Sequence, residues 1–265
     1  KTELLHRGGT PDTCLDVVFI AEGYTKKQMK KFHNDAKRIS TYFLSVTPFD
    51  EYKNNINIHL VYAVSEEEGS DIPGVGIWKN TIVNSNFYTF RTERYITTAD
   101  HFSLRSLAAH VPYDQIVLLV NTDKYGGGGI YNFFNVVISD DKHTPVIFVH
   151  ELGHSFAGLA DEYYTSEVAY QDFYNKAFEP WEPNITTLVN FSSKWQHLIS
   201  PGTPIPTPDS AAYDNTIGVF EGAGYAEKGI YRPYRNCRMF SNNAPGFCPV
   251  CTDAIRKRLL FVIDK

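Results

Sequence analysis

The chain has 265 residues, of which 43% are hydrophobic and 21% charged, and its net charge is −5 at pH 7. This composition predicts a globular protein with one large domain, or one domain with two lobes. No stripe of Lys and Arg runs along the chain, which argues against a nucleic-acid partner. No apolar run approaches the roughly 20 residues that a membrane-crossing helix needs.

Alternating strands and helices are predicted for the first half of the chain. A buried strand is expected over Cys14–Ile20 and a helix over Thr25–Ser45, where Thr25 and Gln28 match a capping box. Apolar residues alternate over Ile56–Val64, which predicts a strand. The other predicted elements of this half are a helix over Thr98–His110 and strands over Ile116–Val120 and Asn135–Ser139.

A third helix is predicted to begin at Thr144-Pro145, with Thr144 as the N-cap and Pro145 at the first helical position. It is expected to end near Gly158, since Gly commonly follows a helix C-terminus. Periodicity weakens from Thr165 to about Ile230, where prolines interrupt it repeatedly. A last helix is predicted over Val250–Val262.

The third helix carries His150, Glu151 and His154 in the order His-Glu-x-x-His. Histidines at positions i and i+4 share one helix face, so both imidazoles can reach one zinc ion. A Glu beside the first His can take the proton of a water that zinc activates. The alternative is a buried helix with two hydrogen-bonded histidines. The predicted cap and the apolar neighbours favour zinc.

Asp161 is the favoured third metal ligand. If the helix stops at Gly158, the chain turns back there, and Asp161 then faces the metal from outside the helix. Glu162 is the nearest alternative. Glu167 is a more distant one.

The stretch His150–Tyr163 resembles the metzincin clan of metallopeptidases, in which a Gly follows the second His and a third ligand follows the Gly. It has one extra residue before Gly158, and Asp161 in place of the third His. This variant is similar to the IgA-peptidase family of bacterial metallopeptidases. The resemblance covers most of the chain from position 16 onward and includes Asp16–Tyr24, Ser70–Pro73 and Tyr125–Tyr131.

The resemblance implies an α+β, metzincin-like fold in a single catalytic domain. An upper lobe, about 1–158, would hold a mixed sheet and the zinc helix, and an irregular lower lobe, about 159–265, would hold the last helix. It also implies a secreted, periplasmic or cell-surface zinc endopeptidase with one catalytic ion and a peptide or protein substrate. The alternatives are a narrow peptidase for glycosylated hinge or mucin-like regions and a catalytically silent zinc-bearing binding module.

The clan also implies a tight turn with a Met beneath the zinc. Met239 lies downstream of the motif and just before the last helix, so we expect it there, with a core-filling role as the alternative. Tyr231 and Tyr234 precede it. A hydroxyl from either would stabilise a developing oxyanion, although a structural role is favoured for both.

Two further features have open interpretations. The run Gly126–Gly129 lacks the Lys-Ser/Thr of a P-loop, and it fits either a mobile rim beside the site or a flexible hairpin turn. Cys14, Cys237, Cys248 and Cys251 fit either disulfides or a structural zinc with four thiolates. Disulfides are favoured for an oxidising compartment.

Overall fold

The computed structural model describes residues 1–164 and 173–264. The chain divides into two compact units, one formed by Lys1–Phe156 with Arg258–Lys265 and the other by Ala157–Lys257. The described residues form a mixed α/β structure with a six-stranded mixed sheet and four α-helices. None of these helices has both the length and the apolar character that a membrane crossing requires.

The first unit holds all six strands of the main sheet. Its strands are β1 (Thr2–His6), β2 (Leu15–Glu22), β3 (Ile56–Val61), β4 (Gln115–Val120), β5 (Gly127–Ile130) and β6 (Phe134–Ile138). Its helices are α1 (Met29–Phe43), α2 (His101–Ala108) and α3 (Thr144–Ala157). The second unit has the strands β7 (Phe220–Ala223) and β8 (Ala226–Arg232) and most of α4 (Pro249–Ile263).

The sheet has the strand order β1-β3-β2-β4-β6-β5. The four central strands are parallel to one another, and the two edge strands run antiparallel to their neighbours. Phe19 of β2 lies opposite Leu60 of β3 and Val117 of β4. Every residue of the central strands is buried. Parallel strands covered on both faces have nearly continuous apolar sequences, which is why the sequence predicts β2, β4 and β6. β3 is predicted from its alternating apolar residues.

Helix α3 is anchored to the core of the first unit by Phe148. The Phe148 ring lies 5.4 Å from that of Phe19 in β2 and 5.6 Å from that of Phe43 in α1, centroid to centroid. Asn135 of β6 donates its side-chain N–H to the carbonyl of Phe148 at 3.3 Å. These contacts hold the histidine-bearing helix against the sheet.

The ends of three predicted helices need correction. Thr144 is the first helical residue of α3 rather than its N-cap, because the carbonyl of His143 already accepts from Val146 and Ile147. The prediction for its end is confirmed, since α3 stops at Ala157 and Gly158 has φ 64°. Helix α1 begins at Met29, after a 3-10 turn over Lys26–Gln28 in which the predicted capping box of Thr25 and Gln28 is confirmed. Helix α2 begins later than predicted, and Asp100 caps it.

The described residues of the second unit have little regular structure, as the weak periodicity predicts. Its two strands form an antiparallel hairpin, and a small core gathers around it from Ala160, Ile185, Ala223, Ala226 and Ile230. The predicted last helix is confirmed as α4. Glu167 lies outside the described residues.

Candidate metal centre

The two histidines of α3 project from one face of the helix toward a common point. Their Nε2 atoms are 3.2 Å apart, and the two rings lie 4.9 Å apart at an interplanar angle of 82°. Two nitrogens bound to one tetrahedral zinc at 2.0–2.1 Å would be about 3.3 Å apart. The spacing of His150 and His154 therefore suits a shared metal ion.

Glu151 lies on α3 beside the edge strand β5. A Cβ added to Gly127 would lie 3.1 Å from Oε1 of Glu151, and one added to Gly129 would lie 2.3 Å from the carbonyl oxygen of Glu151. Glycine is thus needed for the close approach of strand and helix. The alternative of a hairpin turn is wrong for Gly127–Gly129, because these residues form the edge strand β5. The alternative of a mobile rim beside the site stays a prediction.

The chain leaves α3 through a left-handed turn at Gly158. The next two residues are buried, and Ala160 is held by the side chain of Asn184. Asn184 accepts from the N–H of Ala160 at 2.7 Å and donates to its carbonyl at 2.9 Å. This pair of hydrogen bonds fixes the backbone immediately before Asp161.

Asp161 is 4% exposed and is fixed by the turn of the β7–β8 hairpin. Its Oδ2 accepts from the Tyr225 hydroxyl at 2.5 Å, and its carbonyl accepts from the N–H of Gly224 at 3.0 Å. Sequence reasoning missed Tyr225, one of 17 tyrosines. Gly224, directly before Tyr225, was the available sequence signal, because glycine favours the positive φ that this turn requires. In the structure both residues have a positive φ.

Of the predicted ligands, His150 and His154 belong to the first unit and Asp161 belongs to the second. Two imidazole nitrogens and a carboxylate oxygen are a donor set that zinc accepts readily. Glu162, the alternative third ligand, belongs instead to a group with Cys237, Cys248 and Cys251. The residues present at the histidine pair therefore fit a zinc ion.

Met239 is fully buried, and its carbonyl accepts from the N–H of Glu162 at 2.8 Å. Its place beneath a metal stays a prediction. Tyr231 pairs through its backbone with Thr186, and the Tyr234 hydroxyl lies 3.4 Å from Oδ1 of Asn215. An oxyanion role for either tyrosine stays a prediction.

The cysteines do not form the predicted disulfides, since all four are free thiols. Cys14 belongs to the first unit, and the other three belong to the second. A zinc site made of four thiolates is also wrong, because the ligand group around the three C-terminal cysteines takes Glu162 rather than Cys14.

One protein-family model matches almost the whole chain. This model describes the IgA Peptidase M64 family, and its matches cover residues 3–213 and 209–259. A comparison with curated proteins found no match. The family match spans every residue of the candidate metal centre.

Proposed function

The chain belongs to the IgA Peptidase M64 family, and on this premise we propose that it is a zinc-dependent endopeptidase. One observation carries the proposal. Two histidines of α3 have Nε2 atoms 3.2 Å apart, and Glu151 follows the first histidine on the same helix. We therefore propose His150, His154 and Asp161 as the zinc ligands.

When bound, zinc supplies a Lewis acid that polarises the scissile carbonyl and makes water a better nucleophile. Glu151 acts as the general base that takes the proton of the attacking water. It then delivers this proton to the leaving amine as a general acid. The Glu151 carboxylate lies beside β5, since a Cβ added to Gly127 would come within 3.1 Å of its Oε1.

The substrate is proposed to be a peptide or protein bound in extended form. β5 is an edge strand of the six-stranded sheet, and it runs antiparallel to its neighbour β6. An edge strand offers backbone hydrogen bonds to an added strand, and this is a common way to bind extended peptide. A metzincin-like arrangement, with Met239 in a turn below the zinc, is part of this proposal.

The deciding experiment measures metal content and cleavage together. Purified protein is incubated with a mixed denatured proteome, with and without a chelator, and the new termini are identified. Chelator-sensitive cuts would support the proposal and reveal the site preference. Bound metal without cuts would favour a narrow peptidase or a silent binding module, and paired glycosylated and bare substrates would separate these two.

The proposed secreted, periplasmic or cell-surface location is tested by cell fractionation.

A further inference from the structure

Three cysteines and one glutamate meet in the interior of the second unit. The side chains of Cys237, Cys248, Cys251 and Glu162 offer donor atoms that all lie within 4.8 Å of one another. Each of the four residues is at most 2% exposed. When deprotonated, side chains of this kind bind metal ions, and a bound cation offsets the cost of burying their charge.

The atoms are spaced like the corners of a coordination polyhedron. The Sγ atoms of Cys237 and Cys251 are 3.6 Å apart, and Sγ of Cys251 is 3.2 Å from Oε1 of Glu162. A disulfide would hold its sulfurs at about 2.05 Å. In a tetrahedral zinc site two sulfurs are about 3.8 Å apart, and a sulfur and a carboxylate oxygen are about 3.6 Å apart.

Glu162 also has a buried oxygen that lacks a protein partner. Its Oε1 accepts from the side chain of Asn184 at 3.0 Å, whereas its Oε2 has no hydrogen-bond partner among the described residues. A cation at this point would give that oxygen a partner.

The nearby arginine, Arg232, directs the hydrogen bonds of its two Nη atoms to groups other than Glu162. Arg232 is buried and donates to the carbonyls of Glu221 and Gly222 at 2.9 and 2.7 Å. It also pairs with Asp209 at 3.4 Å. Its guanidinium attracts the Glu162 carboxylate electrostatically but donates no hydrogen bond to it among the described residues. A bound cation would therefore be the partner in direct contact with that carboxylate.

The local backbone has the form of a thiolate metal site. Cys248 and Cys251 are separated by two residues at the start of α4, a spacing common among structural zinc ligands. The N–H of Cys248 donates to Sγ of Cys237 at 3.2 Å. Backbone hydrogen bonds of this kind orient a sulfur ligand and stabilise its charge.

We propose that Cys237, Cys248, Cys251 and Glu162 bind a second metal ion, and that this ion is zinc or a similar thiolate-preferring cation. Four protein ligands leave no open position, so the ion is structural. Adjacent residues therefore serve different ions: Asp161 belongs to the candidate catalytic site and Glu162 to the structural one. The N–H of Glu162 also donates to the carbonyl of Met239. The ion thus ties the segment of Asp161 to the Met239 turn and to the start of α4.

The first test removes the candidate catalytic site from the full chain. In the double variant His150→Ala/His154→Ala we expect metal analysis to find about one ion per chain, and thiol titration in denaturant with chelator to find all four thiols. The matched control Cys14→Ser should keep this ion when added to the double variant. Four thiols without metal, or fewer than four thiols, would overturn the proposal.

A second test does not depend on folding of a cysteine variant. The same double variant, loaded with cobalt, should show thiolate-to-cobalt charge-transfer absorption in the near ultraviolet. Glu162→Gln should then weaken cobalt affinity by at least about tenfold while the sulfur bands persist, because one charged ligand is lost. Bound cobalt without sulfur bands would refute the site. These readouts are independent of cleavage, so failure here leaves the proposed peptidase activity untouched.

Discussion

The hydroxyl of Tyr225 donates a 2.5 Å hydrogen bond to Oδ2 of Asp161. Hydrogen bonds from a hydroxyl to a charged carboxylate are both short and strong. The neighbouring Gly224 donates its backbone N–H to the carbonyl of the same aspartate. One hairpin turn therefore positions both the side chain and the backbone of the proposed third zinc ligand.

Removing this hydroxyl should weaken metal binding without abolishing it. We expect Tyr225→Phe to lower the affinity of the catalytic zinc by about 10- to 100-fold, as for other groups that orient a ligand. The measurement is competition against a chromophoric chelator. Tyr234→Phe is the control, because its hydroxyl lies near Asn215. Equal affinities for the two variants would show that Tyr225 does not orient a ligand.

Loss of a ligand should have a larger effect than loss of its orienting group. We expect Asp161→Ala and His150→Ala each to remove one metal ion per chain and to abolish cleavage, since three protein ligands hold a catalytic zinc. His143→Ala is the matched control, because this histidine is half exposed and lies near Asp141. Metal analysis after dialysis is the readout. Unchanged metal content in Asp161→Ala would move the third ligand elsewhere.

Glu151 should be needed for turnover and not for metal. We expect Glu151→Ala to keep the full metal content and to lose cleavage by at least about 10²- to 10⁴-fold, the usual contribution of a general base. The two readouts are metal analysis and the initial rate on a peptide identified in the proteome experiment. Retained activity in this variant would refute the assigned role.

The glycines of β5 should matter for the position of α3. A side chain at Gly129 would press on the backbone of Glu151, so we expect Gly129→Ala to destabilise the fold by about 1–3 kcal/mol, as overpacking does, and to reduce cleavage. Gly246→Ala is the control, because no atom lies within 4 Å of its added Cβ. Thermal unfolding and cleavage rates are compared. Similar results for both variants would mean that strand and helix are not tightly packed.

Local sequence signals predicted the central strands, α1, α3, α4 and the histidine pair, because each depends on a periodic apolar pattern or a short motif. They missed β1 and β5, which are edge strands. The glycines of β5 show no apolar alternation. They are required because β5 packs closely against α3. The sequence also did not indicate Tyr225, which donates to Asp161, or Asn184, which holds the residue before Asp161. These two residues lie 64 and 23 positions from Asp161 in the sequence. The prediction for the cysteine cluster was wrong for the same reason, because its fourth member, Glu162, lies far from the three cysteines in the sequence.

The cap of α2 offers a test of pH dependence in the first unit. Oδ1 of Asp100 accepts from the N–H of Ser103 at 3.0 Å, and this hydrogen bond lowers the pKa of Asp100 below its ordinary 3.8. The folded state thus binds fewer protons than the unfolded state near that pH. The stabilisation is present above pH 3.8 and is lost as the pH falls through the lower folded pKa.

At neutral pH we expect Asp100→Ala to cost about 1 kcal/mol of unfolding free energy, the usual value of an N-cap. Asp100→Asn should cost much less, because its side-chain oxygen still accepts from Ser103 and only the charge is lost. Urea unfolding of the wild type and both variants, from pH 7 down to about pH 3, measures the difference. The advantage of wild type over Asp100→Asn should shrink on acidification, because the wild-type carboxyl becomes protonated and loses the charge that Asn lacks. A constant difference would show that the charge of Asp100 contributes nothing to the cap.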